Sequence, residues 1–168
     1  GLTDIKIKKD SLVFIAMGIL KPSDERSGKL AVAPKVGSPV TIMLDSLQRP
    51  LQASYADLND DQREDVVICE FGFRHGSLSW FKNEGGQRYK KHLLRELPGA
   101  TCSEIFDFNK DGLPDIVALM AQGDEGVFVY YNDGGGKFTE TRVLRFPPVY
   151  GSNYFQLVDF NHDGWMDI

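Results

Sequence analysis

Cysteine is almost absent: the 168 residues contain two, Cys69 and Cys102. Two thiols cannot build the disulfide framework of a small secreted scaffold, and their spacing matches no zinc motif. They read either as two buried small apolar side chains or as one bridge between neighbouring segments. Histidine is nearly as scarce, and His75, His92 and His162 are scattered singly. No Ser, His and Asp stand in a recognisable nucleophile arrangement, although such triads are assembled in space and not in sequence. No apolar run approaches the roughly 20 residues of a membrane helix. The amino terminus lacks the charged, apolar, small-residue order of a secretion signal, so any such leader is expected to lie outside these residues. Positive charge is also short, since 19 Lys and Arg against 24 Asp and Glu leave a net charge of −5, which argues against a nucleic-acid partner.

What is present is a globular composition, 42% apolar and 11% aromatic with 17 Gly and 8 Pro, and a repeated acidic nonapeptide. Asp107-Phe108-Asn109-Lys110-Asp111-Gly112-Leu113-Pro114-Asp115 places side-chain oxygens at positions one, three, five and nine and glycine at six. Asp159 to Asp167 repeats the pattern, and Asp57 to Asp65 precedes it. A short loop that aims hard oxygens at one centre suits calcium, which takes six to eight oxygen ligands at about 2.3–2.6 Å. The expected ligands are Asp57, Asn59, Asp61, Asp65 and the Arg63 carbonyl; Asp107, Asn109, Asp111, Asp115 and the Leu113 carbonyl; and Asp159, Asn161, Asp163, Asp167 and the Trp165 carbonyl, for two to three ions. Gln62 replaces glycine at position six of the first loop, where positive φ is required, so that site is expected to be strained by about 1 kcal/mol and to bind differently. An EF-hand is excluded, because position twelve is Ile68 or Ala118 instead of Glu and the flanking runs are β-rich.

A second landmark keeps step with the first. Asn83-Glu84-Gly85-Gly86-Gln87-Arg88-Tyr89 and Asn132-Asp133-Gly134-Gly135-Gly136-Lys137-Phe138 share the pattern Asn-x-Gly-Gly-x-x-aromatic between apolar runs, as hairpin turns do. One period then reads as four strands. At the amino terminus, Gly1–Ile5 could be the tail of a lost acidic loop or Gly1–Lys8 a first strand; the second is preferred, because Leu12–Gly18 then aligns with Val66–Gly72. The expected units are 1–47 with its metal loop lost, 48–98, 99–148, and a fourth begun at 149. Repeats of about 40–50 residues with four antiparallel strands each predict an all-β fold, a β-propeller segment of three to four blades. Closure takes roughly four to eight blades, so a piece of a larger propeller, or assembly of several copies, is expected.

The loops Asp107–Asp115 and Asp159–Asp167, each leading into Ile, and the Asn-x-Gly-Gly turns resemble FG-GAP/VCBS repeats of secreted bacterial proteins and of integrin α-subunit propellers. That resemblance implies calcium in the loop between the first two strands of a blade. It also implies an extracellular, periplasmic or cell-surface recognition or scaffolding module for a macromolecule or carbohydrate. Integrin-type Phe-Gly and Gly-Ala-Pro landmarks are not clear here, so integrin-like ligand binding is not transferred. No catalytic residue is expected. The alternative is the propeller portion of a carbohydrate-active enzyme, a polysaccharide lyase or hydrolase, which would need an acid or base pair outside the loops. Trp80-Phe81 and Tyr130-Tyr131 are expected between neighbouring sheets, and Glu70 and Glu104 on exposed faces. The connections 22–28 and 71–76 are expected on one face, the expected ligand face.

Overall fold

Val66-Val67-Ile68-Cys69 and Ile116-Val117-Ala118-Leu119-Met120 are apolar at every position, the pattern of strands covered on both sides. In the computed structural model, which describes residues 1–168, both runs are central strands buried along their whole length. There is no helix, and twelve strands form three four-stranded antiparallel meanders. The first sheet is β1 (Leu2–Lys8), β2 (Ser11–Ala16), β3 (Gly28–Ala33) and β4 (Thr41–Leu47). The second is β5 (Pro50–Ala56), β6 (Asp65–Glu70), β7 (Ser77–Gly85) and β8 (Arg88–Arg95). The third is β9 (Ala100–Phe106), β10 (Asp115–Met120), β11 (Gly126–Gly134) and β12 (Lys137–Arg145). Residues after Phe146 add only an isolated bridge between Val158 and Asp167.

The sheets stack like propeller blades, and the period-two alternation of each strand assigns its side chains to one neighbour or the other. Between the first and second sheets lie Val13, Ile15, Leu30 and Leu44 against Ala53, Val66, Ile68 and Phe81. Between the second and third lie Val67, Cys69, Leu78 and Trp80 against Ile116, Ala118, Phe128 and Tyr130. Val117, Leu119, Val127 and Val129 form the far face of the third sheet, covered by Phe155 with Phe146 and Leu157. Each fully buried Val, Leu, Ile or Phe contributes about 1.5–3 kcal/mol of transfer free energy, so these seams hold the blades together. Cys69 and Cys102 are both free thiols inside them.

The first strands β1, β5 and β9 lie innermost and are stitched by side chains, with no ladder between them. Lys6 Nζ donates to the Ala53 carbonyl (2.6 Å), and Asp4 accepts from Ala53 N–H (3.2 Å). Gln52 both donates to Ser103 O and accepts from Ser103 N–H, each at 3.0 Å. A groove of about 820 Å³ runs along these strands. The last strands are outermost, and β12 is exposed at nearly every position.

Glu70 departs from expectation. Placed on an exposed face by its charge, it is 1% exposed, because its carboxylate receives the chain crossing from the first sheet to the second. It accepts from Gln48 N–H (2.8 Å), from Ser77 Oγ (2.8 Å) and from the Lys91 ammonium, and so satisfies the rule that a buried charge needs partners. Glu70→Gln keeps the shape but removes the charge, and is expected to lower stability by about 1–3 kcal/mol in urea unfolding, with the midpoint falling at unchanged m-value.

Candidate metal centre

The antiparallel meander puts the β5–β6 and β9–β10 connections, residues 57–64 and 107–114, at the same end of adjacent blades, with the Gly-rich β7–β8 and β11–β12 hairpins beside them. The third acidic loop, 159–167, is closed by the Val158–Asp167 bridge. All three share one internal hydrogen-bond pattern. The position-one carboxylate accepts the N–H groups of positions five and six: Asp57 from Asp61 (3.1 Å) and Gln62 (2.6 Å), Asp107 from Asp111 (3.0 Å) and Gly112 (2.9 Å), Asp159 from Asp163 (3.0 Å) and Gly164 (2.9 Å). The position-three amides of Asn59, Asn109 and Asn161 accept from the position-five N–H and donate to the position-five carboxylate. Asp61, Asp111 and Asp163 in turn accept from the N–H of Arg63, Leu113 and Trp165. Turns of this kind are what Asp and Asn side chains form with their own backbone.

Position six has positive φ in every loop, 63° at Gln62, 90° at Gly112 and 86° at Gly164. Gln62 therefore takes the left-handed conformation that its siblings assign to glycine, at a cost of order 1 kcal/mol. Position four is left-handed as well, at Asp60 (58°), Lys110 (63°) and His162 (60°), which the residue identities did not announce. Position two is the other unannounced feature. Leu58 is 1% exposed in the seam between the second and third sheets, and the N–H of Leu58, Phe108 and Phe160 donates to the position-nine carboxylate.

The position-nine aspartates hold the two repeated motifs together. Asp65 accepts from Asn83 N–H (2.7 Å) and Asp115 from Asn132 N–H (2.8 Å), so the Asn of each Gly-Gly hairpin docks on the acidic loop of its own blade. Asn132 Nδ2 also donates to Pro114 O (3.1 Å) and, across the blade seam, to Leu58 O (3.0 Å). Burial pushes the Asp115 carboxyl above its ordinary value, against the opposing pull of the Asn132, Phe108 and Asn109 N–H groups. Asp65 is raised for the same reason, against the pull of the Asn83 N–H and the Leu58 N–H. At Asp61 burial again works upward, but the Asn59 amide, the Arg63 N–H and the charges of Arg63 and Lys82 prevail and hold the carboxyl below its ordinary value.

The first loop differs from the others in charge. Arg63 Nη2 lies 2.6 Å from Asp61 Oδ2 and Lys82 Nζ 3.6 Å from the same oxygen, while Arg63 Nε donates to Asn83 O (2.8 Å). At the matching position the second and third loops carry Leu113 and Trp165, and the nearest cation to the third is Lys110, whose ammonium sits over the Trp165 ring (3.6 Å to its centroid). The donor set of the second and third loops, four side-chain oxygens and one carbonyl on nine residues, is chemically that of a hard divalent cation. The carboxylates are held by the loops' own N–H groups, and no three acidic, histidine or cysteine side chains converge on one point. A cation must therefore compete with those N–H groups for the oxygens.

No helix is long and apolar enough to cross a membrane. The face opposite the acidic loops brings the β2–β3 and β6–β7 connections together: Asp24 accepts from Arg74 N–H (2.9 Å) and His75 N–H (3.3 Å) and pairs with Arg74 Nε at 3.2 Å. A search of curated proteins found no match. The FG-GAP-like repeat family profile matches twice, at residues 57–118 and 107–168. Each match opens on the first aspartate of an acidic loop, and together they cover two thirds of the chain; it belongs to the FG-GAP-like repeat family.

Proposed function

We propose that this β-rich repeat module is a calcium-stabilised, non-catalytic recognition domain of a secreted or cell-surface protein. The observation that supports this most directly is the threefold recurrence of one loop conformation, with oxygens at positions one, three, five and nine and a left-handed turn at six. Asp107, Asn109, Asp111, Asp115 and the Leu113 carbonyl would hold one ion, and Asp159, Asn161, Asp163, Asp167 and the Trp165 carbonyl a second. The bound ion supplies positive charge to three like-charged carboxylates that otherwise repel one another. In the first loop Arg63 and Lys82 already supply that charge at Asp61, and Gln62 stiffens the turn, so Asp57, Asn59, Asp61 and Asp65 form the weakest of the three sites. Millimolar calcium outside the cell fills loops too weak for the cytosol, which favours an extracellular, periplasmic or surface location.

Calorimetric titration of the chelated chain at neutral pH is expected to give two ions, with Asp107→Ala and Asp159→Ala each removing one. Binding of no ion overturns the proposal. The titration also has a pH signature. The folded chain holds the protons of Asp65 and Asp115 more tightly than the unfolded chain does, so the stability their protonation confers is full below the ordinary carboxyl value and is lost as pH rises through the raised one. A cation needs the ionised form, so calcium affinity at Asp115 is expected to fall as pH is lowered through that window.

A further inference from the structure

Eleven of the 24 acidic residues and two of the 19 basic ones fall within the three nonapeptides, which leaves 17 basic against 13 acidic elsewhere. The molecule is thus acidic at one end and basic over the rest. At the end opposite the acidic loops a cavity of about 430 Å³ opens between the first and second blades, a volume in the range of small-molecule sites. Arg26, Arg74, His75 and Lys91 stand on its wall, with Ser77 beside them and Glu96 as the one acid.

The cations there are held in place by groups behind the wall. The buried Glu70 anchors the Lys91 ammonium and balances its charge, so Lys91 offers its remaining N–H donors while the unpaired Arg26 supplies the net positive charge. Asp24 fixes Arg74 through its Nε, which leaves the outer guanidinium nitrogens open, and accepts two backbone N–H groups as well. Arg26 is exposed and pairs with no acid.

This cavity is also where the repeat is broken. The β2–β3 connection, 17–27, has 11 residues against 6 in 71–76 and 5 in 121–125, and the added length carries Asp24 and Arg26. Between the second and third blades the corresponding connection offers Gly123, Asp124 and Glu125, and Asp124 is consumed by Arg95 and Arg142. Repeat proteins place such departures on their binding face. On this face, donors that suit an oxyanion therefore line the seam between the first and second blades and not the next one.

We propose that this cavity binds a carboxylate-bearing sugar unit of an acidic polysaccharide. It rests on the recognition reading above and names its ligand. Guanidinium groups pair with carboxylates through two parallel N–H donors. The half-exposed Leu93 and Leu97 with Pro98 offer an apolar wall for the C–H face of a ring beside those donors. A polyphosphate is disfavoured by the net charge of −5, whereas one carboxylate per sugar carries a much lower charge density.

The test titrates the full chain with trigalacturonate, which is too short to gel with calcium, and with neutral maltotriose, both in calcium. Saturable binding of one trigalacturonate and none of maltotriose is expected. Arg26→Glu, at an exposed side chain that holds nothing else, is expected to weaken it about tenfold or more, and Arg74→Ala to weaken it as well. No saturable binding, equal binding of maltotriose, full competition by equimolar inorganic sulfate, or an unchanged affinity in Arg26→Glu overturns the proposal. Melting temperature in calcium separates the two readings: a calcium shift without sugar binding sinks only the ligand, and sugar binding without a calcium shift sinks only the metal.

Discussion

Saturating calcium is expected to raise the melting temperature of the chelated chain by roughly 10–20 °C. A ligand at 100 times its Kd stabilises the folded state by about 2.7 kcal/mol, so two independent sites give about 5 kcal/mol. For a chain of this size each kcal/mol moves the midpoint by about 2–4 °C. The effect is large because the second and third loops each hold three carboxylates within nine residues, and their repulsion is offset mainly by backbone N–H groups until a cation joins them. Asp107→Ala is expected to halve the shift without abolishing it. Magnesium should do much less, since it demands near-octahedral geometry and gives up its water reluctantly. A calcium shift of a degree or two, or one matched by magnesium, would contradict the metal reading.

Asp115→Ala is expected to destabilise the protein by about 2–4 kcal/mol even in chelator, the cost of leaving two backbone N–H donors without an acceptor. The carboxylate is fully buried and accepts Phe108 N–H (2.9 Å), Asn109 N–H (3.4 Å) and Asn132 N–H (2.8 Å). Alanine leaves the buried Asn132 N–H and the half-buried Phe108 N–H without an acceptor, whereas Asn109 is exposed to water. Asp115→Asn retains one oxygen and should lose about half as much. Urea unfolding under chelation isolates this structural role from any contribution of calcium, and a loss below about 1 kcal/mol would show that water reaches the vacated position.

The all-β, bladed architecture was legible because the apolar runs at Val66–Cys69 and Ile116–Met120 recur at a fixed period with acidic loops before them and Gly-Gly turns after. Periodicity is a local signal, and the strands, hairpins and loop positions are local structures. What stayed hidden depends on partners distant in the chain. Glu70 looked like a surface carboxylate because nothing in its neighbourhood reveals that Gln48, 22 residues earlier, delivers its N–H to it. Asn83 and Asn132 were legible as turn residues, but not as the donors that fasten hairpin to loop, since Asp115 and Asn132 stand 17 residues apart. Gln62 was legible as a misfit at a glycine position, whereas the Arg63 and Lys82 charges meet on Asp61 only once β7 folds beside the loop. Trp80 shows the same division. Its place between sheets follows from its register, but its contact with Gly136, where any Cβ would stand 2.4 Å from the indole, explains in retrospect why that hairpin carries a third glycine.

Asn132 lies in the third blade, yet its amide grips the Leu58 carbonyl of the second and the Pro114 carbonyl of its own. Under mechanical load applied through the ends of the chain, that amide acts as a rivet across the seam. The first sheet, joined to the second through partly exposed ion pairs such as Lys8–Glu64 and Arg74–Asp24 and through apolar contact, should peel first, so that the second and third blades part last as a single mechanical unit.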